Sequence, residues 1–405
     1  MNINAFLNSI LLPLQLHFSM TKQDTIYTLQ FWLLCASSVL FMASFNMILA
    51  ELPHYLDSIG GQDYKGLIIG LFAIAALLSR PFSGKLADTI GRIPVMIIGP
   101  VVCIVLGVLY PLTTTISGFL LLRFFHGFST GFKPTGTTAY LADIVPASKR
   151  GEAMGILGVA GSIGMAAGPA MGSFIATSYS LNLMFWMSSV VAGMSILVLM
   201  GMKETLPSTV KFNPNLLLIH PRDVIEYDVW LPSLVMLLTV YSFGTILTVT
   251  PDFSDYLGIS NRGIFFSIML SASIAVRLVS GKASDRLGRA NVLLFGTLCL
   301  ALAMVILGLT DSKFWFYIGA TVFGIAAGVN SPTIFAWTAD LANVNSRGKA
   351  MSTMFIALEA GIVLGSVLGA FFYDNQIEQL KYAYWFGGLL ALVAFLVVLI
   401  RKLKT

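Results

Sequence analysis

Glu359 lies in AMSTMFIALEAGIVLGSVLGAFF, residues 350 to 372, a stretch in which every other side chain is uncharged. On a helix rising about 1.5 Å per residue it falls about 15 Å from the start of the run, near the middle of any layer that the helix crosses. Gly361, Gly365 and Gly369 share one side of that helix, while Ser352, Glu359 and Ser366, spaced by seven, lie roughly opposite. A second group occurs in LLLRFFHGFSTGFKPTGTTAY, where Arg123, His126, Thr130, Lys133 and Thr137 follow steps of three or four and form one polar stripe. These types in these surroundings suit the uptake of a proton, the pairing of charges or the anchoring of a polar solute. Glu359 reads as a proton carrier or a contact for a cationic solute, with a static pair to Lys133 as the alternative. For Arg123 a structural ion pair and a part in proton coupling both stand. His126 is either a neutral hydrogen-bonding residue or a contact for substrate or proton, and Lys133 either touches the ligand or balances internal charge. Asn46 and Asn330 are further polar anchors. Glu51, two residues before Pro53, is a weaker proton-coupling candidate that either pairs with Arg123 or sits in outer water.

The runs that carry these residues are hydrophobic. Of 405 residues 57% are apolar and 11% charged, and the mean hydropathy is +0.84. That is membrane composition. The apolar residues form runs of about twenty, enough for helices to cross a hydrocarbon layer of roughly 30 Å. Period-two alternation is absent, so helices are the remaining way to satisfy the backbone in lipid. Twelve spans are predicted, at approximately 28–50, 66–83, 94–111, 117–141, 151–176, 183–202, 230–250, 263–280, 291–309, 314–337, 350–373 and 382–400. With both termini cytoplasmic, the inner loops, together with Arg80 and Arg277 at the inner ends of their spans, hold about 18 of the 24 Lys and Arg and the outer loops about 4, the expected inside bias. The net charge of +5 is thus spread over short loops rather than gathered in a patch for nucleic acid. Cys35, Cys103 and Cys299 all fall in predicted spans and are expected to be buried, reduced thiols. No phosphate-binding loop, paired metal-ligand motif or nucleophile elbow occurs, so neither an enzyme nor a cofactor is expected. Residues 1–26 lack the marks of a secretory signal and read as a cytoplasmic or interfacial segment, with Met20 an alternative start.

The chain repeats itself. RPFSGKLADTIGR at 80–92 returns as RLVSGKASDRLGR at 277–289, a shift of 197 residues. The same shift carries Gly127 and Gly131 onto Gly324 and Gly328, Asp143 onto Asp340, Arg150 onto Arg347, and Gly164, Gly168 and Gly172 onto Gly361, Gly365 and Gly369. With one residue of slack, Pro53, Asp57 and Gly60 match Pro251, Asp255 and Gly258. One register holding across several spans predicts two homologous six-helix bundles related by an axis along the membrane normal. The expected organisation is an N-terminal bundle at 27–202, a polar linker at 203–228 and a C-terminal bundle at 229–405.

With these motifs the chain resembles transporters of the major facilitator superfamily over nearly its whole length after about residue 25. The loop signature G-x-L-a-D-r-x-G-r is matched by Gly84, Leu86, Asp88, Gly91 and Arg92, with Thr89 for the usual Arg. The second copy is matched by Gly281, Asp285, Arg286, Gly288 and Arg289, with Ala283 in the Leu position. The resemblance implies a cytoplasmic latch of Asp88, Arg92, Asp143 and Arg150, repeated as Asp285, Arg289, Asp340 and Arg347. Lys85 and Lys282 are read as anchors to lipid headgroups. Gly164, Gly168, Pro169 and Gly172 resemble the antiporter motif of drug-efflux members, with Ser173 in place of a Gly, and Arg123 stands where the family carries a membrane-embedded arginine. Ordinary small-residue packing is the alternative for the glycine motif.

The expectation is an all-α membrane protein with twelve transmembrane helices in two pseudo-symmetric bundles. It would be a proton-coupled antiporter that exports a small amphipathic organic compound by alternating access. Uptake or exchange of an anionic metabolite and lipid translocation are the alternatives within transport, the former suggested by Arg123 and Lys133. A receptor or scaffold explains the duplicated latch poorly. The expected partners are the substrate, protons or another cation, and the bilayer; the expected state is a monomer in a bacterial cytoplasmic membrane.

Overall fold

The computed structural model describes residues 26–259, 263–373 and 376–404; the N-terminal segment and the alternative start at Met20 lie outside them. Twelve long helices account for most of the described chain: α1 Leu29–Met47, α2 Lys65–Ala87, α3 Arg92–Leu109, α4 Ile116–Ile144, α5 Arg150–Ser178, α6 Leu181–Met200, α7 Trp230–Tyr256, α8 Ile264–Leu287, α9 Arg289–Leu309, α10 Lys313–Leu341, α11 Arg347–Tyr373 and α12 Leu380–Leu403. Eleven are long and apolar enough to cross a membrane. The twelfth, α4, has the length but carries the polar stripe of Arg123, His126, Thr130, Lys133 and Thr137.

The helices run several residues beyond the predicted spans at the end bearing the repeated phrases. Gly84 and Lys85 lie inside α2, whereas Arg92, Arg150, Arg289 and Arg347 are the first residues of their helices. The phrases are therefore helix termini joined by tight turns rather than loops. Gly91 and Gly288 occupy those turns at φ +120° and +89°, where a side chain would be strained. Oxygen-bearing side chains start the helices at the other end: Thr115 accepts from Gly118 N–H before α4, and Ser312 from Trp315 N–H before α10. The two halves differ at their first helix. The chain turns after Met47 and continues as a short helix Leu52–Ser58 with Pro53 in its first turn, whereas α7 runs unbroken through Pro251.

Packing repeats with the sequence. α1 lies on α5 and α6, α2 and α3 on α4, and α3 on α6; α7 lies on α11 and α12, α8 and α9 on α10, and α9 on α12. Between bundles the main contacts are α2 with α11 and α8 with α5, which exchange under the shift. Within bundles, small residues let backbones approach. Gly164, Gly168 and Gly172 of α5 face carbonyls of Val39, Ala43 and Met47 on α1, and Gly361 and Gly365 of α11 face those of Leu237 and Tyr241 on α7. Serine pairs join α1 to α6, with Ser37 and Ser195 hydroxyls 2.9 Å apart and Ser44 donating to the Ser188 carbonyl at 2.8 Å. A Cβ at Gly365 meets the Tyr241 carbonyl and the Thr245 nitrogen, whereas one at Gly70 meets nothing within 4 Å. Gly365→Ala is expected to destabilise the protein by about 1–3 kcal/mol, and Gly70→Ala to leave it nearly unchanged. Thermal unfolding of the two variants in detergent checks the contrast.

Candidate functional site

The polar linker marks one end of the molecule. There the two bundles are joined by the eight charged residues of the repeated phrases, arranged twice. Asp88, at the end of α2, accepts from the backbone N–H groups of Gly348 and Lys349 at the start of α11, both at 2.7 Å, and from Arg92 at 2.5 Å. Asp285, at the end of α8, accepts from the N–H groups of Gly151 and Glu152 at the start of α5, both at 2.8 Å, and from Arg289 at 2.5 Å. A carboxylate at a helix start meets unsatisfied N–H donors and the positive end of the helix dipole. Arg347 pairs with Asp143 across the bundles at 2.6 Å, and Arg150 with Asp340 at 3.0 Å; Arg92 and Arg289 complete each set from within their own bundle, at 3.0 Å to Asp143 and 2.9 Å to Asp340. Gly84 crosses α11 so closely that a Cβ there would lie 2.7 Å from Ser352 Cβ, and Gly281 presses on Gly151 in the same way.

Lys85 and Lys282 have protein partners. Lys85 donates to Asp223 at 2.9 Å and to the Leu218 carbonyl at 2.7 Å, and Lys282 lies 3.3 Å from Glu152. Burial opposes ionisation of Asp223, but Lys85 and the His220 N–H outweigh it and hold the carboxyl below the ordinary aspartate range. The linker also reaches α11, where Lys349 pairs with Glu226 at 2.9 Å and Thr353 Oγ1 accepts from the Glu226 N–H at 2.9 Å. It therefore touches both bundles at their junction. Glu204, which the sequence did not single out, accepts from the Arg92 and Ile93 N–H groups at 3.0 and 2.9 Å and so caps α3.

Above this junction α2 and α11 remain in contact through Arg80 and Glu359. Arg80 Nε and Nη2 donate to Glu359 Oε1 at 3.0 and 2.5 Å; Nη1 donates to the Gly131 carbonyl and Thr135 Oγ1, and the guanidinium lies 4.2 Å from the centre of the Phe355 ring. Glu359 Oε2 is buried without a partner. The partner of Glu359 is thus Arg80, not Lys133. The repeated phrase begins with Arg80, and that shared position was the signal available in the sequence. Lys133 Nζ instead donates to Ser37 Oγ at 2.6 Å, beside the Phe41 ring.

Two adjoining cavities lie between the bundles, of about 330 and 250 Å³. Met236, Phe243, Met269, Phe323 and Leu358 make the first mostly apolar, and Phe41, Met42, Leu157, Phe335 and Phe355 the second. Ser162, Met165, Arg277 and Ser331 border both. Of the expected substrate contacts, Asn330 lines the first cavity, with its side-chain oxygen unpartnered, and Lys133 lines the second. Glu359 lies between the lining residues Phe355, Leu358 and Ile362 without lining either cavity itself. Asn46 donates to the Met42 carbonyl at 2.8 Å and is packed against Gly168. His126 is buried among Phe45, Phe72 and Tyr110, with its Nδ1 3.3 Å from the Tyr110 hydroxyl. Neither lines a cavity. Arg123 donates to the Ile68 carbonyl at 2.8 Å and lies over the Phe72 ring, while Glu51 accepts from Ser173 at 2.7 Å; the two are not paired. Pro169 is within α5, on the helix whose glycines pack against α1.

The chain is similar to proteins named for drug resistance. It is 26% identical over 410 residues to "Multidrug resistance protein 2" of Bacillus subtilis, covering 95% of this chain and 97% of that protein. It is 26% identical over 371 residues to the "Multi-drug resistance efflux pump PmrA" of Streptococcus pneumoniae, covering 87% and 90%. Among solved structures it superposes on the human organic anion transporter MFSD10 with a TM-score of 0.79, at 19% identity over 91% of this chain and 98% of that one, and on the proton:xylose symporter XylE with a TM-score of 0.75, at 16% identity over 90% and 94%. The family model described as the Major Facilitator Superfamily matches residues 34–282 and again 232–405. The chain belongs to that superfamily and is a multi-pass membrane transporter, not an enzyme.

Proposed function

We propose that the protein is a proton-coupled antiporter that exports a small amphipathic organic compound from a bacterial cell, with the linker end in the cytoplasm. Its moving units are the bundles at 27–202 and 229–405, joined by the linker at 203–228. The Arg80–Glu359 pair carries this reading. It joins one bundle to the other, lies next to the cavity-lining residues Phe355, Leu358 and Ile362, and leaves one buried carboxylate oxygen without a partner. A proton taken up there neutralises Glu359 and weakens its hold on Arg80, which favours separation of the bundles at the linker end. With that end closed, the chamber faces outward, releases substrate and receives the proton. Once the linker end opens, loss of the proton to the cytoplasm and binding of substrate restore closure on a loaded carrier. The latch residues act as the gate, the cavities hold the apolar body of the substrate, and Lys133 and Asn330 contact its polar parts. The names of the relatives, multidrug resistance protein and efflux pump, support export over uptake.

The test is flux in proteoliposomes, with compounds first chosen by their ability to stabilise the purified protein. An imposed pH gradient is expected to drive these compounds up their concentration gradient, and substrate movement to carry protons the other way. Flux indifferent to pH gradients but responsive to sodium would reject proton coupling; binding without flux would reject transport.

A further inference from the structure

Arg277 is the repeat counterpart of Arg80, shifted by 197 residues, yet its surroundings have been stripped of partners. The same shift takes Glu359 to Ser162, Phe355 to Gly158, and Thr135 to Pro332. The carboxylate, the ring and the hydroxyl that hold Arg80 are thus a short hydroxyl, no side chain and an imino acid around Arg277. The Gly131 carbonyl, the remaining acceptor of Arg80, corresponds to that of Gly328, which accepts from Ser280 at 2.9 Å. Among the described residues, Arg277 Nε donates to Ser273 Oγ at 3.2 Å and no carboxylate pairs with the guanidinium. Arg277 borders both cavities, as does Ser162. Among the described residues, Lys133, on the wall of the second, is the other charged residue that lines them, and no carboxylate does.

We infer that Arg277 is the binding site for an anionic group on the transported molecule, so that the substrate is an amphipathic organic anion such as an aryl carboxylate or sulfonate. A guanidinium bordered by apolar walls is costly unless paired, and a planar carboxylate matches its donors bidentately. At Gly158 the absent side chain is replaced by the Arg277 guanidinium itself, whose Nη1 packs against the glycine, and Ser162 sets a short hydroxyl where Glu359 stands on the other side. The apolar body of the substrate then occupies the cavities on either side of Arg277. This rests on the proposed transport role, but binding can be measured apart from flux.

The experiment uses the full chain in phosphatidylcholine nanodiscs, with 1-naphthaleneacetate, its neutral amide and 1-naphthylmethylammonium as matched probes. Wild-type protein is expected to bind the carboxylate roughly tenfold to hundredfold more tightly than the amide, and the ammonium most weakly. Arg277→Gln should remove that preference, bringing carboxylate binding down to the level of the amide, and Arg277→Lys should retain part of it. Ser162→Glu should place a carboxylate where Glu359 stands relative to Arg80, and abolish carboxylate binding with Arg277 still present. Each variant's thermal unfolding and monodispersity establish that it is folded. Phosphatidylglycerol that competes with the carboxylate in wild type but not in Arg277→Gln would support the same site with a lipid as the source of the anion. Equal binding of carboxylate and amide by wild type, absence of carboxylate binding, or an unchanged preference in Arg277→Gln overturns the assignment. If the Arg277-dependent preference appears without flux in proteoliposomes, the transport reading fails and the anion site stands; flux of the amide or ammonium without any carboxylate preference does the reverse.

Discussion

Glu359→Gln is expected to abolish the response of transport to a pH gradient while leaving a folded protein that still binds substrate. Gln keeps the length and one acceptor oxygen of Glu359, so it can still accept from Arg80, but it offers no group to gain or lose a proton in the working range. If the proton acts by biasing the closure at the linker end, its coupling to substrate is worth about 1–3 kcal/mol, or roughly 5- to 150-fold in affinity or driven accumulation. That is the loss expected in vesicles, with downhill exchange of substrate surviving. The groups facing Glu359 are few: Arg80 from α2, which also contacts Gly131 and Thr135 of α4, and Phe355 one turn away on α11. Glu359→Asp should keep a pH response, although with a weaker grip on Arg80. Removing the acid altogether leaves Arg80, 3% exposed, without its counter-charge, and breaking such a buried pair costs about 3–5 kcal/mol. Glu359→Ala is therefore expected to unfold earlier than Glu359→Gln. A purely structural pair predicts another pattern: lower thermal stability in the variants, with the ratio of gradient-driven to downhill flux unchanged. Parallel measurement of stability and of that ratio separates the two.

The sequence revealed the helices and the repeat because both are written locally. An apolar run of about twenty residues has one stable form in lipid, and the phrases beginning at Arg80 and Arg277 can be aligned without knowing where they fold. The ends of helices were less legible: Gly84, Asp88, Arg150 and Arg347 look like loop residues because they are small or charged, yet they extend or adjoin helices whose backbone is satisfied by the opposite bundle. The spacing put the polar residues of α4 on one stripe, but a stripe does not fix depth. Arg123 and His126 lie toward the start of the helix, against the Ile68 carbonyl and the Tyr110 hydroxyl, whereas Lys133 and Thr137 reach the cavity. Glu359 was legible as an isolated charge, and its partner was not. Arg80 is 279 residues away and stood in the sequence only as the first residue of the repeated phrase, with no role assigned to it. The differences around Arg277 were already present in the alignment of the halves, but they acquire meaning only when Ser162 and Gly158 are seen beside Arg277 at the cavities.

Disabling both copies of the latch should have a larger structural effect than disabling either. In Asp88→Asn each contact with the Gly348 and Lys349 N–H groups and with Arg92 loses the charge that strengthens it, and Asp285→Asn does the same to Gly151, Glu152 and Arg289. Hydrogen bonds to charged groups contribute about 1.5–3 kcal/mol each to stability. Even if most of that survives as neutral bonding, a loss of about 1–2 kcal/mol per Asp shifts the closed population roughly 5- to 30-fold for one substitution. Two such losses, about 2–4 kcal/mol together, cover roughly 40–70% of the about 5.5 kcal/mol that separates a 99:1 population from 1:99. Ser148 and Arg286 are exposed and flank the α5–α8 contact, so spin labels on S148C and R286C report its opening. Wild-type protein is expected to give mainly a short distance, Asp285→Asn a mixture, and the Asp88→Asn and Asp285→Asn double variant mainly a longer one. Transport should fall by roughly tenfold or more in the double variant, because a carrier that cannot close at the linker end cannot return substrate to the other face. Solvated charges that only orient the helices in the bilayer predict unchanged distances in all three proteins. Asp143 and Asp340 offer an independent check, since each accepts from one arginine of either bundle and its amide variant weakens a cross-bundle pair without touching the backbone N–H groups of a helix start.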